Sequence, residues 1–336
     1  MKAIKSEFQM KALMKNWLYL FVGIGLAVVV SASCSVKTSD LYEDGGLLWQ
    51  VSGNGLRDTS YLLGSMHNIK GTFMDSIPGA RKAFDEAEQL AVENDYLSRD
   101  SASYSFKSYL YMPADTTYEM LYHDLRQYEY VDSTLKAMQF FRYEAFKPLF
   151  WMSLLESIKG YKGLERKDIM DIYILLQGIE HKKEIVYLEE TGEVDRRQER
   201  LDSLRYQAID LPLQAYFLHE SLRNFSKKED GSRMIQAYKG QNFRLLSEII
   251  VSERDSVPEE TEMLTKERIN RLDSFLDCFY RMTGSDRNHA WMSKLPGLMQ
   301  KRPTLVVVGV AHLAGEEGLI SLLRKEGYEV KPVIEK

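Results

Sequence analysis

The sequence predicts an α/β protein, with a mixed central sheet formed from both chain ends and a large helical middle. Three observations predict it. Short apolar runs alternate with turn and helix signals between residues 47 and 93. A near-continuous apolar run, Thr304–Gly309, lies close to the C-terminus and is of the kind that a parallel or mixed sheet buries on both faces. Between them, most of 103–295 carries apolar residues at helical spacing.

Leu47–Ser52 and Thr59–Gly64 read as two strands, and the Asn54-Gly55 pair between them is a strong hairpin signal. Ser76 can cap a helix with Pro78 in its first turn, running through Gly79–Gln89. Leu90–Glu93 is then a short strand. Helical periodicity marks Tyr128–Phe141, Pro148–Ile158 and Lys167–Gly178, the last ending on its glycine. Glu184–Glu189 is a strand bounded by charge, and Val194–Leu211 a charged amphipathic helix whose Asp195–Arg200 run reads as a solvated face. Three or four further helices are expected between Gln214 and Leu295, with polar interruptions at 226–232 and 252–262. After the strand Thr304–Gly309 come a helix, Glu316–Glu326, closed by Gly327, and a final strand, Tyr328–Ile334. The aromatic residues of the middle, among them Tyr104, Phe106, Tyr109, Tyr111, Phe140 and Phe141, are expected to be packing.

The N-terminus belongs to a different kind of sequence. Residues 1–33 begin with four lysines against one glutamate, continue with an uncharged run from Trp17 to Val30, and end in small residues. That order is read as an export signal, and Met10 or Met14 would give it a more ordinary length. Cys34 follows directly, so it is a candidate lipidation site, although Ser31 stands where such signals usually carry Leu, Val or Ile. Cleavage after Ala32, or an uncleaved anchor, are the alternatives, and all three place the remainder outside the cytoplasm. Residues 34–46 then read as a tether and 47–334 as one domain with a helical insertion over about 103–295.

The 336 residues carry 44 Lys and Arg against 49 Asp and Glu, so the chain is acidic, which argues against a nucleic-acid partner. Without residues 1–33 the net charge moves from −5 to −8. The only other cysteine, Cys278, sits among apolar residues and is expected to be buried.

One pattern occurs twice. The second strand runs into Gly64-Ser65-Met66-His67, and the strand near the C-terminus into Gly309-Val310-Ala311-His312. Each glycine allows a sharp turn at the strand end, which would put both histidines at the carboxyl edge of the sheet, where α/β proteins bind ligands. Glu93 and Glu189 also close strands. Two histidines and a carboxylate form a common ligand set for Zn, Mn, Co or Fe, and a metal-bound water is a usable nucleophile near neutral pH. His289 reads as a loop residue, and His123, His181 and His219 as solvated.

These residues resemble the TraB/GumN family, which includes the animal Tiki proteins. The opening hairpin with its Gly-x-x-His, Glu93, Leu188-Glu189-Glu190-Thr191, Tyr238–Gln241, Arg287-Asn288 with Trp291, and Gly309–Gly315 carry the resemblance over about 45–334. Gln241 stands where the family has an acid. The resemblance implies a fold similar to erythromycin-esterase and ChaN-like proteins. It also implies metal-dependent peptidase activity, with Mn, Co or Zn held by His67, His312 and Glu93. Glu93 could alternatively be a general base, Arg287 and Asn288 would stabilise an oxyanion or position substrate, and Glu189 is a further candidate. The expected partners are a peptide or protein substrate and a membrane reached through the N-terminal lipid. The competing functions are a non-catalytic binding or regulatory lipoprotein and a metal-independent esterase, the latter lacking a Gly-x-Ser-x-Gly elbow.

Overall fold

The computed structural model describes residues 44–98, 107–225, 233–254 and 260–334. The segment read as an export signal, Cys34, most of the stretch read as a tether, Tyr104 and Phe106 lie outside the described residues.

Six strands form one sheet: β1 (Leu48–Gly53), β2 (Ser60–Ser65), β3 (Gln89–Val92), β4 (Glu184–Tyr187), β5 (Thr304–Gly309) and β6 (Tyr328–Pro332), in the order β4-β3-β5-β2-β1-β6. The contacts β2–β5, β3–β5 and β3–β4 are parallel, whereas β1 runs antiparallel to both of its neighbours. The two chain ends therefore do share the sheet, and β5, from the C-terminal end, lies between β2 and β3. Every residue of β3 is buried, as is nearly all of β5, which accounts for their unbroken apolar character. The β1–β2 connection turns through Asn54 and Gly55, both at positive φ, with Leu56 N–H donating to Gly53 O at 3.0 Å. This primed turn opens a longer connection than a two-residue hairpin, because the last β1–β2 pair is Val51 with Ser60.

The helices follow their sequence signals with five revisions. Ser76 ends a short 3-10 helix, Gly71–Ser76, and α1 (Ala80–Glu86) starts instead from Gly79, whose φ of 75° suits a glycine. The helices α2 (Leu125–Ala137), α3 (Pro148–Gly160) and α4 (Met170–Glu180) form as expected, but α4 runs through Gly178 rather than stopping there. A Cβ on Gly178 would lie 2.7 Å from Leu90 Cδ2, so this glycine lets α4 approach β3 closely. The helix α5 (Thr191–Ala208) is opened by a reciprocal cap between Glu190 and Glu193. The rest of the middle holds more helices than expected: α6 (Leu211–Phe225), α7 (Arg233–Lys239), α8 (Phe243–Arg254), α9 (Lys266–Tyr280), α10 (Asp286–Met292) and α11 (Leu295–Lys301). A π-helical turn, Arg281–Ser285, joins α9 to α10, so His289 is helical rather than in a loop. The last helix, α12 (Leu319–Lys325), is shorter than its pattern and closes at Gly327, with φ of 89°.

The sheet core takes in α1, α4, α7, α8, α10, α11 and α12. The helical middle has cores of its own, one around Trp151, Tyr118 and Tyr143 and another around Leu213, Leu272 and Phe275. Phe141 is an exception to the expected packing at 62% exposed, as is Tyr111, which is exposed but stacked on Phe146. Cys278 is half-buried rather than buried, and His219 is buried beside Glu220 rather than solvated. No helix among the described residues is long and apolar enough to cross a membrane.

Gly178→Ala separates two opposed effects. Helix propensity favours alanine by roughly 0.5–1 kcal/mol, and forcing an atom into the α4–β3 contact costs about 1–3 kcal/mol. Urea unfolding is expected to show a net loss of stability; a gain would mean that α4 and β3 do not pack this closely.

Candidate active site

The parallel strands bring their carboxyl ends to one edge. Ser65 pairs with Gly309, and Val92 pairs with both Val307 and Tyr187. The residues just beyond these ends, His67, Glu93, Glu189 and His312, therefore emerge together. Arg287 and Asn288 reach the same place from α10.

Arg287 is the hub, buried and planar. Its Nε donates to Glu189 Oε1 at 2.8 Å, and Nη2 donates to Glu189 Oε2 at 2.8 Å and to Glu93 Oε2 at 2.6 Å. Nη1 lies 2.9 Å from His312 Nε2 and 3.5 Å from the carbonyl of Thr283, which belongs to the π-helical turn. All five N–H groups of the guanidinium are directed at acceptors. Its face covers the Trp291 ring at 4.6 Å. Arg197 makes a second fork to Glu189, at 2.8 and 2.9 Å. It comes from the charge run that sequence reasoning assigned to a solvated face, so that assignment fails for this one residue. A helical charge pattern says which residues can face solvent, not which one a neighbouring strand end recruits.

Glu93 accepts from Arg287 and, through Oε1, from Gly309 N–H at 2.8 Å. Burial alone would raise its pKa, but the charges of Arg287 and His67 and the Gly309 N–H hold it well below the carboxylate range. Glu189 is likewise held down against burial, by Arg287 and Arg197.

The two histidines occupy opposite environments. His312 is buried, with Nδ1 2.7 Å from Asn288 Oδ1 and its ring 4.5 Å from that of Trp291. Nδ1 donates to the Asn288 carbonyl, and Nε2 accepts from Arg287. Burial and the Arg287 charge push its pKa down to about 3, so this imidazole is neutral. Asn288 is fully used, its Nδ2 donating to His312 O and Glu317 O. His67 instead forms an ion pair through Nδ1 with buried Asp171, at 2.7 Å, while its side chain stays 33% exposed. Burial works against the imidazolium, but the Asp171 carboxylate outweighs it and raises the pKa to about 9. Ser65 Oγ donates to the other Asp171 oxygen. His67 Nε2 has no partner among the described residues.

The candidates from sequence thus converge, but not as the expected metal set. Both oxygens of Glu93 and the Nε2 lone pair of His312 are taken, by Gly309 and by Arg287. Among the described residues, no group of three His, Cys, Asp or Glu side chains is arranged to hold a metal ion. As arranged, these acceptors fit a guanidinium, and an ion at the same place would have to displace it. Neither strand glycine makes the sharp turn expected of it. Gly64 lies within β2, where a Cβ would stand 3.0 Å from Val310 Cγ2, and Gly309 presents its N–H to Glu93. Close approach explains Gly64 alone, since a Cβ on Gly309 would meet nothing nearer than 3.5 Å.

Sequence reasoning missed Asp171, Tyr96 and Arg197. Tyr96 has a buried hydroxyl without a hydrogen-bond partner, and burial together with Glu93 and Asp171 raises its pKa well above the usual value. Asp171 carried one signal, a carboxylate on the apolar face of α4. Such a residue is seldom buried without a cationic partner.

Two measurements follow. Replacing Arg287 by Met leaves buried Glu93 without its guanidinium partner and Glu189 with Arg197 alone, and is expected to cost about 3–5 kcal/mol of stability, read by urea unfolding. The histidines set opposing pH limbs. His67 binds its proton more tightly in the folded chain, about 9 against 6.5, so its contribution is complete below 6.5 and lost as pH rises through 9. His312 resists protonation when folded, about 3 against 6.5, so stability falls as pH drops below 6.5, with Glu93 and Glu189 adding to the loss at lower pH. Stability is expected to peak near pH 6.5, with His67→Gln flattening the alkaline limb and His312→Gln the first part of the acid limb.

No curated protein and no solved structure matches the chain. A family model described as TraB/PrgY/gumN does match, over residues 47–332, which include every site residue above. The chain belongs to the TraB/PrgY/gumN family.

Proposed function

We propose that the chain is a hydrolase acting at this strand-end cluster on a peptide or protein substrate, with His67 as the proton-transferring group. One observation carries the reading. Of the two histidines gathered here, only His67 keeps a ring nitrogen without a partner among the described residues, Nε2, and its side chain is partly open to solvent.

In this reading Asp171 is a positioning residue. It holds the Nδ1–H of His67, fixing the tautomer that leaves Nε2 as the acceptor, as the acid does in a Ser-His-Asp triad. Neutral His67 takes a proton from water at Nε2 while the water oxygen bonds to the substrate carbonyl carbon. The carbon–nitrogen bond then breaks, and the same proton passes to the leaving amine. Glu93, Glu189, Arg287 and Arg197 form a charge-balanced platform that keeps the strand ends in register, and His312 and Asn288 brace the Arg287 guanidinium from the other side. Tyr96, with its unpartnered hydroxyl, is the donor available to a developing oxyanion.

A metal-dependent reading remains the second one, favoured by the placing of both Gly-x-x-His motifs on adjacent parallel strands. Mn, Co or Zn would supply an activated water there. It requires Arg287 to release His312 and Glu93 first. The proposed setting is extracytoplasmic, with the domain tethered to a membrane through lipidated Cys34.

Peptide cleavage by the purified chain tests the reading. His67→Ala is expected to reduce kcat/KM by about 100-fold or more. For the wild type, kcat/KM should climb with pH to a plateau above about 9, and Asp171→Asn should move that inflection down toward 6.5. Activity that vanishes in chelator and returns with one Mn, Co or Zn ion per chain would transfer the function to the metal reading. A chain that cleaves no peptide under either condition would leave the cluster a structural core and sink both.

A further inference from the structure

An open cleft of about 430 Å³ begins at Asn68, the chain neighbour of His67. Three segments meet there: the 3-10 turn after β2, the connection between α3 and α4, and the end of α7. Each contributes a lysine, Lys70, Lys162 and Lys239 respectively, and no Asp or Glu lines the cleft. All three are exposed, and none has an ion-pair partner among the described residues. This sets them apart from lysines such as Lys82, Lys107, Lys136, Lys167, Lys325 and Lys331, each of which finds a carboxylate. In a chain of net charge −5, an unneutralised group of three cations is an anion-attracting feature.

Two further features narrow the class of anion. The cleft wall includes Phe73, an apolar surface that a bare ion would not use. Asn68, the residue directly after His67, lines the cleft, and its Oδ1 is buried without a donor. A buried acceptor of this kind calls for a hydrogen-bond donor. A peptide backbone supplies an N–H beside each acidic side chain, a pairing of donor and anion that suits a cleft carrying both an acceptor and lysines. Thr72 adds a hydroxyl at the rim.

We propose that this cleft is the substrate-binding groove for an acidic peptide segment, whose carboxylates meet Lys70, Lys162 and Lys239 and whose backbone N–H bonds to Asn68, bringing the adjoining peptide bond to His67. The proposal rests on the hydrolase reading for what happens at His67, but not for the binding itself. Binding and cleavage are therefore separable.

The test uses the full chain and two rhodamine-labelled peptides of one apolar framework, one rich in Glu and the other with every Glu replaced by Gln. Fluorescence anisotropy is expected to show tighter binding of the Glu peptide, weakening with added salt. The K70Q/K162Q/K239Q variant should lose about tenfold or more of that affinity while its binding of the Gln peptide is unchanged. Asn68→Ala should weaken both peptides alike. Equal affinity for the two peptides, or an unaltered Glu-peptide affinity in the triple variant, overturns the proposal, and so does a lysine-dependent preference for phosphate or phosphatidylglycerol vesicles over the Glu peptide. Selective binding without cleavage would uphold the groove and count against the hydrolase reading alone.

Discussion

The Arg287 guanidinium is the constraint on which the functional edge of this protein depends. Two carboxylates, Glu93 and Glu189, are buried at the ends of neighbouring strands. Left alone they would repel each other and take up protons. Arg287 binds both, and Arg197 adds a second positive charge on Glu189, so the buried ionic charge is balanced. A planar fork with five donors meets this geometry, and a lysine could not. The π-helical turn before α10 belongs to the same arrangement, since the carbonyl of Thr283 takes up the remaining guanidinium N–H. Helical turns of this irregular kind recur at functional sites.

Around that hub one sheet edge holds two histidines in opposite states. His312 shares its Nε2 with a permanent cation and is kept neutral, whereas His67 shares its Nδ1 with a carboxylate and is kept charged. The sequence patterns around them are nearly the same. The difference comes from α10 packing over the end of β5 while α4 carries Asp171 to the end of β2. Divergent pKa values in one cluster are a mark of functional sites. Here they also separate a group committed to structure from one with a free nitrogen.

The lysine-lined cleft continues this asymmetry. On the side of Arg287, charges are buried and paired. On the side of His67 they are exposed and unpaired, and the wall carries an unsatisfied amide oxygen. Polar groups left in this condition in a folded chain are where a ligand adds most.

Much of the fold was determined by local sequence. Unbroken apolar runs mark β3 and β5, Asn54-Gly55 marks the turn, and 3.6-residue periodicity marks α2 to α5, because these features act within one element. The two Gly-x-x-His motifs, Glu93, Glu189 and the Arg287-Asn288 pair were also legible, since each stands at a strand end or repeats a pattern. Strand order was not, because nothing within β2 or β3 says that β5 lies between them. Nor could the sequence reveal that Arg287 would occupy the acceptors assigned to a metal, that Asp171 would take His67, or that Arg197 would turn inward. Lys70, Lys162 and Lys239 are far apart in the chain and ordinary where they stand. Pairing between buried charges depends on distances of about 3 Å between segments as much as 194 residues apart, and only the packing of the helices against the sheet decides those distances.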